Sequence, residues 1–273
     1  KMQECLHKLF PCCFRINTEE NSPQSCEKVS PKGIITMFEK EEFKETALLK
    51  LQIIDSEELE IGKEFKISQE GLVSSLRKHK DGCVYAGSKL SEEGKVLNDI
   101  VLSAKEKGVG DQHFQVKYNS DKSVFTLKDL GQGDGTFIRL DKPLLLQSNQ
   151  IISFGDTHVS IQITNGDLRL RFIEGPMKDQ VYEFHKDEEK PIKVGRMADC
   201  TLNIQDISIS RYQFVVFYEK GWVLKDGDGK KLSTNGTWLL AENDFEIFDG
   251  LAFKAAQTLF KAKLSNPGVS LTC

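Results

Sequence analysis

Apolar and polar positions along this chain alternate in short blocks that turn residues separate. Thr46-Ala47-Leu48-Leu49-Lys50-Leu51-Gln52-Ile53-Ile54 is an apolar, β-branched run that predicts a first strand. Phe65-Lys66-Ile67 alternates in the same way after a charged turn around Ser56-Glu57-Glu58. Leu72 to Leu76 fits helix or strand equally. Further on, Phe214-Val215-Val216, Trp222-Val223-Leu224 and Trp238-Leu239-Leu240 each read as a strand. Between the last two lies Ser233-Thr234-Asn235-Gly236-Thr237, a tight polar turn whose Asn-Gly pair tolerates positive φ. Such a loop offers hydroxyls, an amide and unpaired backbone N–H groups, the donors an anion needs.

The pattern repeats. Asp99-Ile100-Val101-Leu102 matches Asp199-Cys200-Thr201-Leu202, and His113-Phe114-Gln115-Val116 matches Gln213-Phe214-Val215-Val216. Phe125-Thr126-Leu127-Lys128-Asp129 matches Trp222-Val223-Leu224-Lys225-Asp226, and Gly135-Thr136-Phe137 matches Gly236-Thr237-Trp238. Ile151-Ile152-Ser153-Phe154 matches Gly250-Leu251-Ala252-Phe253, and the main offset is an insertion after Gly87-Ser88 in the first copy. The expected organisation is an irregular arm over 1–46, one domain over 47–165, a second of the same kind over 167–264 and a tail over 265–273. The break falls near Thr164-Asn165-Gly166-Asp167.

Three strand-end loops of the second copy carry polar chemistry: Gly195-Arg196, Ser210-Arg211-Tyr212-Gln213 and Ser233-Thr234-Asn235-Gly236-Thr237. In that order they resemble the motifs of forkhead-associated (FHA) domains, a family of phosphothreonine-binding β-sandwiches. The departure is Gln213, where the family usually has a His that supports the loop from behind. The resemblance implies an all-β fold of two tandem FHA-type (SMAD/FHA-like) sandwiches behind a cysteine-containing arm. It further implies that Arg196, Ser210 and Thr234 bond phosphate oxygens and that Asn235 holds the peptide backbone. Arg211 adds a contact or shapes the loop, while Gly195 lets the chain turn before Arg196. Ser233, Gly236 and Thr237 set the turn, with the Thr237 hydroxyl bracing nearby backbone.

The first copy keeps the scaffold residues and replaces the polar ones. Ser88 stands for Arg196, Gly110 for Ser210, Asp111 for Arg211, and Gly133-Asp134 for Thr234-Asn235. A phosphate carries about −1.5 to −2 charge near neutral pH, so losing the arginine and gaining two carboxylates predicts no phosphothreonine binding there.

Composition narrows the function. The chain has 273 residues, 39% of them hydrophobic and 29% charged, with a net charge of −4, which argues against nucleic acid as the main partner. No run of 18 or more apolar residues predicts a transmembrane segment. Cys5, Cys12, Cys13, Cys26, Cys83, Cys200 and Cys273 make an odd count with no Cys-x-x-Cys, and Cys83 and Cys200 read as buried thiols. A reducing, cytoplasmic location is expected, with the cytoskeleton or cilium as candidate structures. The arm around Cys12-Cys13 leaves three readings open: a docking segment, a lipidated anchor at Cys12 and Cys13, or a zinc site using His7.

Gly131-Gln132-Gly133-Asp134-Gly135-Thr136 fits no nucleotide-loop spacing. Asp226-Gly227-Asp228-Gly229 fails as a calcium loop, because Lys230 and Lys231 stand where a ligand and the glycine belong, and reads as a hairpin turn. His7, His79, His113, His158 and His185 are scattered, so no catalytic constellation or cofactor is expected, and no metal site apart from that open zinc reading of the arm. The sequence points to a phosphothreonine-peptide-binding adaptor or scaffold acting through the second domain. The alternative is a non-enzymatic structural component of a larger assembly, with stable partners bound without phosphate.

Overall fold

Leu49, Leu51 and Ile53 are fully buried while Lys50 and Gln52 between them are half-buried, so the first apolar run becomes a strand with one inward face. The computed structural model describes residues 48–187 and 190–265, and among these every helix or strand element is a strand. The first repeat supplies β1 (Leu48–Asp55), β2 (Glu64–Ser68), β3 (Gly71–Leu72), β4 (Cys83–Gly87), β5 (Ser91–Glu92), β6 (Lys95–Val96), β7 (Ile100–Val101), β8 (Phe114–Asn119), β9 (Val124–Asp129), β10 (Thr136–Arg139), β11 (Leu144–Leu145), β12 (Ile151–Phe154) and β13 (Thr157–Thr164). The second supplies β14 (Asp167–Glu174), β15 (Val181–Phe184), β16 (Ile192–Gly195), β17 (Leu202–Asn203), β18 (Phe214–Tyr218), β19 (Trp222–Asp226), β20 (Trp238–Leu240), β21 (Phe245–Glu246), β22 (Ala252–Ala255) and β23 (Thr258–Ser265). The insertion in the first repeat carries the small β5–β6 hairpin. Leu72 closes a two-residue strand, and Val73 and Leu76 lie exposed in turns, so the ambiguous Leu72–Leu76 run is neither helix nor full strand.

The strand pairing corrects the expectation of two consecutive, self-contained sandwiches over 47–165 and 167–264. One sheet of 11 strands runs β15-β14-β13-β12-β20-β10-β22-β23-β1-β2-β3. Two sheets of five strands pack on it, β11-β19-β18-β16-β17 and β21-β9-β8-β4-β7. The last three strands of each repeat therefore complete the sandwich of the other. One core joins Leu49, Val84, Phe114 and Leu127 of the first repeat to Ile247, Leu251, Phe253 and Phe260 of the second. Phe253 stacks on Phe260 at 5.0 Å and meets the edge of Phe114 at 5.4 Å. The other core joins Trp222, Val194 and Phe214 of the second repeat to Leu146, Ile152, Phe154 and Ile161 of the first.

The crossover has a local cause. β10 and β20 pair antiparallel with Ile138 opposite Leu239, two equivalent positions of the repeat, so the exchange is symmetric about that pair. The pairing continues past both strand ends, with Leu140 N donating to Thr237 O and Ala241 N to Thr136 O, each at 2.9 Å. Held straight at that point, each chain runs into the opposite sandwich through the links 140–143 and 241–244. Pro143 also biases Lys142 toward extended backbone.

Equivalent pairings correct two repeat matches by two residues. Ile152 and Phe253 face Leu239 and Ile138 in turn, so Ile152 rather than Phe154 corresponds to Phe253. Ile100 and Leu202 hold the same place beside β4 and β16, so Ile100 corresponds to Leu202. A shift of two leaves every side chain on its face, which is why the alternation alone did not resolve it. Cys200 is buried, whereas Cys83 is only half-buried. The arm over 1–46, with Cys5, Cys12, Cys13, Cys26 and His7, and the tail beyond Ser265, with Cys273, lie outside the described residues.

Candidate functional site

The sequence of the second repeat builds its loops around a buried carboxylate. Asp226 ends β19 on the inward side, 7% exposed. Its Oδ2 accepts from Ser233 N at 2.8 Å, and its Oδ1 accepts from Ser233 Oγ at 2.7 Å and Thr237 Oγ1 at 2.6 Å. Thr237 therefore braces a side chain, not the backbone expected of it. Gln213, fully buried, closes the frame from the other side. Its Oε1 accepts from Ser210 N at 3.0 Å, and its amide is shared among Gly236 O at 2.9 Å, Ser233 Oγ and Thr237 Oγ1 at 3.1 Å.

The first repeat shows what Gln213 replaces. His113 Nδ1 accepts from Gly110 N at 3.1 Å and its Nε2 reaches Gly135 O at 3.1 Å, the equivalent backbone groups. The glutamine reproduces both bonds with one acceptor and one donor and adds the two hydroxyls. Gly236 takes φ 79°, the left-handed conformation the Asn-Gly turn requires. Gly195 is extended strand instead of a turn. A Cβ there would run into the Arg211 carbonyl oxygen, so its role is close approach. Gly195→Ala is expected to cost about 1–3 kcal/mol by overpacking, read as a lowered denaturant midpoint.

On this frame the predicted residues come together in part. Ser210 Oγ accepts from Thr234 N at 2.8 Å, which leaves its own O–H for a ligand. Asn235 Nδ2 donates to Ser208 O at 2.9 Å. Ser210, Arg211, Ser233 and Thr234 line a hollow of about 90 Å³ together with Tyr212, Asp228, Lys231 and Leu232. Arg196 and Asn235 do not line it. Arg196 stands exposed beside it, its backbone N bonded to Ser210 O at 3.3 Å. Among the described residues, no carboxylate oxygen lies within 4.0 Å of the side-chain nitrogens of Arg196, Arg211 or Lys231.

The two acids near the hollow are already engaged. The backbone N–H groups of Lys231 and Lys230 hold the Asp228 carboxyl below the usual carboxylate range, and the Tyr212 hydroxyl donates to Asp199. Those bonds make Asp228–Lys231 a turn inside the β19–β20 loop, not the tip of a hairpin. The sequence does not mark Lys231, which stands in a failed calcium spacing, or Asp226, whose Asp-Gly pair reads as a turn.

The matching rim of the first repeat is closed and acidic. Val109 and Gly133 form a β-bridge across it, Asp134 N donates to Gly108 O at 2.8 Å, and Ser88 Oγ donates to Gly110 O at 3.2 Å. Gln132 stands where the second repeat has Ser233. The buried Asp129 Oδ1 and Thr136 Oγ1, equivalent to Asp226 Oδ1 and Thr237 Oγ1, find no partner among the described residues. Asp111 and Asp134 are exposed on this rim.

Among the described residues no group of three or more His, Cys, Asp or Glu side chains could hold a metal ion, and no helix is long and apolar enough to cross a membrane. The family model for the FHA domain matches residues 88–155 and 192–248. No curated protein matches the chain. The family matches follow the order of the sequence, whereas residues from Leu140 onward in the first of them pack in the sandwich of the second.

Proposed function

Since this chain carries two forkhead-associated domains in tandem, and such domains are phosphopeptide-binding interaction modules without catalysis of their own, we propose that it is an adaptor or scaffold that captures a phosphothreonine peptide on its second repeat. The observation that carries this reading is the Thr234 N to Ser210 Oγ bond beside two cations, Arg211 and Lys231, whose side-chain nitrogens pair with no carboxylate among the described residues. Ser210 O–H and the Thr234 hydroxyl donate to phosphate oxygens. Arg211 and Lys231 supply charge on the hollow and Arg196 supplies it from the adjacent strand end. Asn235 holds the peptide backbone. Each charge-assisted bond contributes roughly 1.5–3 kcal/mol.

The full chain is expected to select phosphothreonine peptides from a library over their unphosphorylated forms. Ser210→Ala or Arg196→Ala is expected to weaken binding about tenfold to a hundredfold, measured by fluorescence anisotropy. Equal binding of phosphorylated and unphosphorylated peptides would reject the reading.

The first repeat, with a bridged rim and two exposed carboxylates, has no place for phosphate in this scheme. Its closed rim favours a second reading, in which the paired sandwiches are a structural part of a larger assembly. Phosphatase treatment of the bound partner separates the two: release supports the reader, retention the structural part.

A further inference from the structure

A second hollow of about 290 Å³ adjoins the first and shares the lining residues Lys231 and Leu232 with it. Part of its lining is the crossover link of the first repeat, with Lys142 and Pro143, and Lys225 and Lys230 line it as well. The acids here are spent. Asp141 pairs with Arg139 at 3.3 Å, and Asp226 points inward to its three donors. The lysines are not: among the described residues, no carboxylate oxygen lies within 4.0 Å of the side-chain nitrogen of Lys142, Lys225, Lys230 or Lys231. Lys142 and Lys225 are steadied over the rings of Phe248 and Phe217, at 4.5 and 5.0 Å.

The exchange of strands decides this charge. In a self-contained second repeat that part of the lining would be its own link, Ala241-Glu242-Asn243-Asp244, with two carboxylates and no cation. The exchanged link, Leu140-Asp141-Lys142-Pro143, brings one carboxylate, already paired, and one lysine. We propose that this hollow reads acidic side chains next to the phosphothreonine, and that the phosphate-silent first repeat contributes to specificity through Lys142. The proposal rests on the phosphothreonine reading of the adjoining hollow. Leu140 and the half-exposed Leu232 give the stems of those side chains an apolar surface.

The test uses the full chain and phosphothreonine peptides whose flanking residues are all neutral, or Asp and Glu before, after or on both sides of the phosphothreonine. At least one acidic set is expected to bind about tenfold tighter than the neutral set, an advantage that shrinks as salt rises. In Lys142→Ala/Lys225→Ala/Lys230→Ala the ratio of acidic to neutral affinity is expected to fall to about one. Lys178→Ala, on the β14–β15 turn, keeps the wild-type ratio. Equal affinity for acidic and neutral phosphopeptides, or an acidic advantage that survives the triple substitution, overturns the flank reading alone. Indifference to phosphate across all peptides overturns it together with the reading on which it rests.

Discussion

A chain ending at Leu240 is expected to lose its first sandwich and keep its second, although the deleted residues belong to the second repeat. The deletion takes Ile247, Leu251, Phe253, Ala255 and Phe260 out of the core that Leu49, Phe114 and Leu127 share. Removing one large core side chain costs about 2–5 kcal/mol, and a whole domain is stable by only about 5–15 kcal/mol. Loss of three strands therefore exceeds what the remainder can bear. The core around Trp222 loses only the half-buried Phe245 from its edge, since β11–β13 remain. Hydrogen exchange read by mass spectrometry checks this: amides of Phe114–Asp129 should become unprotected while those of Phe214–Asp226 stay slow. The reverse pattern would show each repeat folding on itself and would sink the exchange. A fragment of residues 167–264 meets the converse difficulty. It must bend Ala241–Asp244 back to supply its own last strands, so binding experiments belong on the full chain.

The exchange could not be read from the alternation of residues, for a physical reason. β12–β13 and β22–β23 are equivalent hairpins with matching inward faces, Val159 and Ile161 in one and Phe260 and Ala262 in the other. Either pair satisfies either core by pattern, and the choice is made by a four-residue link that continues a strand pairing. What sequence did carry was the repeat, the all-β class, and the Ser210–Thr234 juxtaposition, because those follow from side-chain identity at loop positions. Charge was legible at Arg211. It was not legible at Lys142, which reaches the second repeat's loop only through the crossover. The apparent defect at Gln213 dissolved for a related reason. An amide oxygen and an amide N–H span the same two backbone groups that an imidazole spans in the first repeat.

The frame behind the loop makes Asp226 the position where one substitution should do most. Asp226→Ala leaves Ser233 N, Ser233 Oγ and Thr237 Oγ1 without their buried acceptor, and each orphaned donor costs about 1–3 kcal/mol. A loss of roughly 3–5 kcal/mol is expected, confined to the second sandwich, with phosphopeptide binding abolished because Thr234 is no longer held against Ser210. Asp226→Asn separates frame from charge. Its single oxygen can serve one side of the site, while its NH2 faces the donors on the other, so it should lie between wild type and alanine. The first repeat supplies the internal comparison. There Asp129 Oδ1 and Thr136 Oγ1 already lack partners among the described residues, and Gln132 stands in place of the bridging serine. Asp129→Ala should therefore cost less than Asp226→Ala, by about 1–2 kcal/mol in denaturant unfolding followed separately for each sandwich by hydrogen exchange. Equal costs at the two positions would mean that the triad of Asp226, Ser233 and Thr237 adds nothing beyond a buried turn. Phosphate affinity should then survive the alanine variant as well.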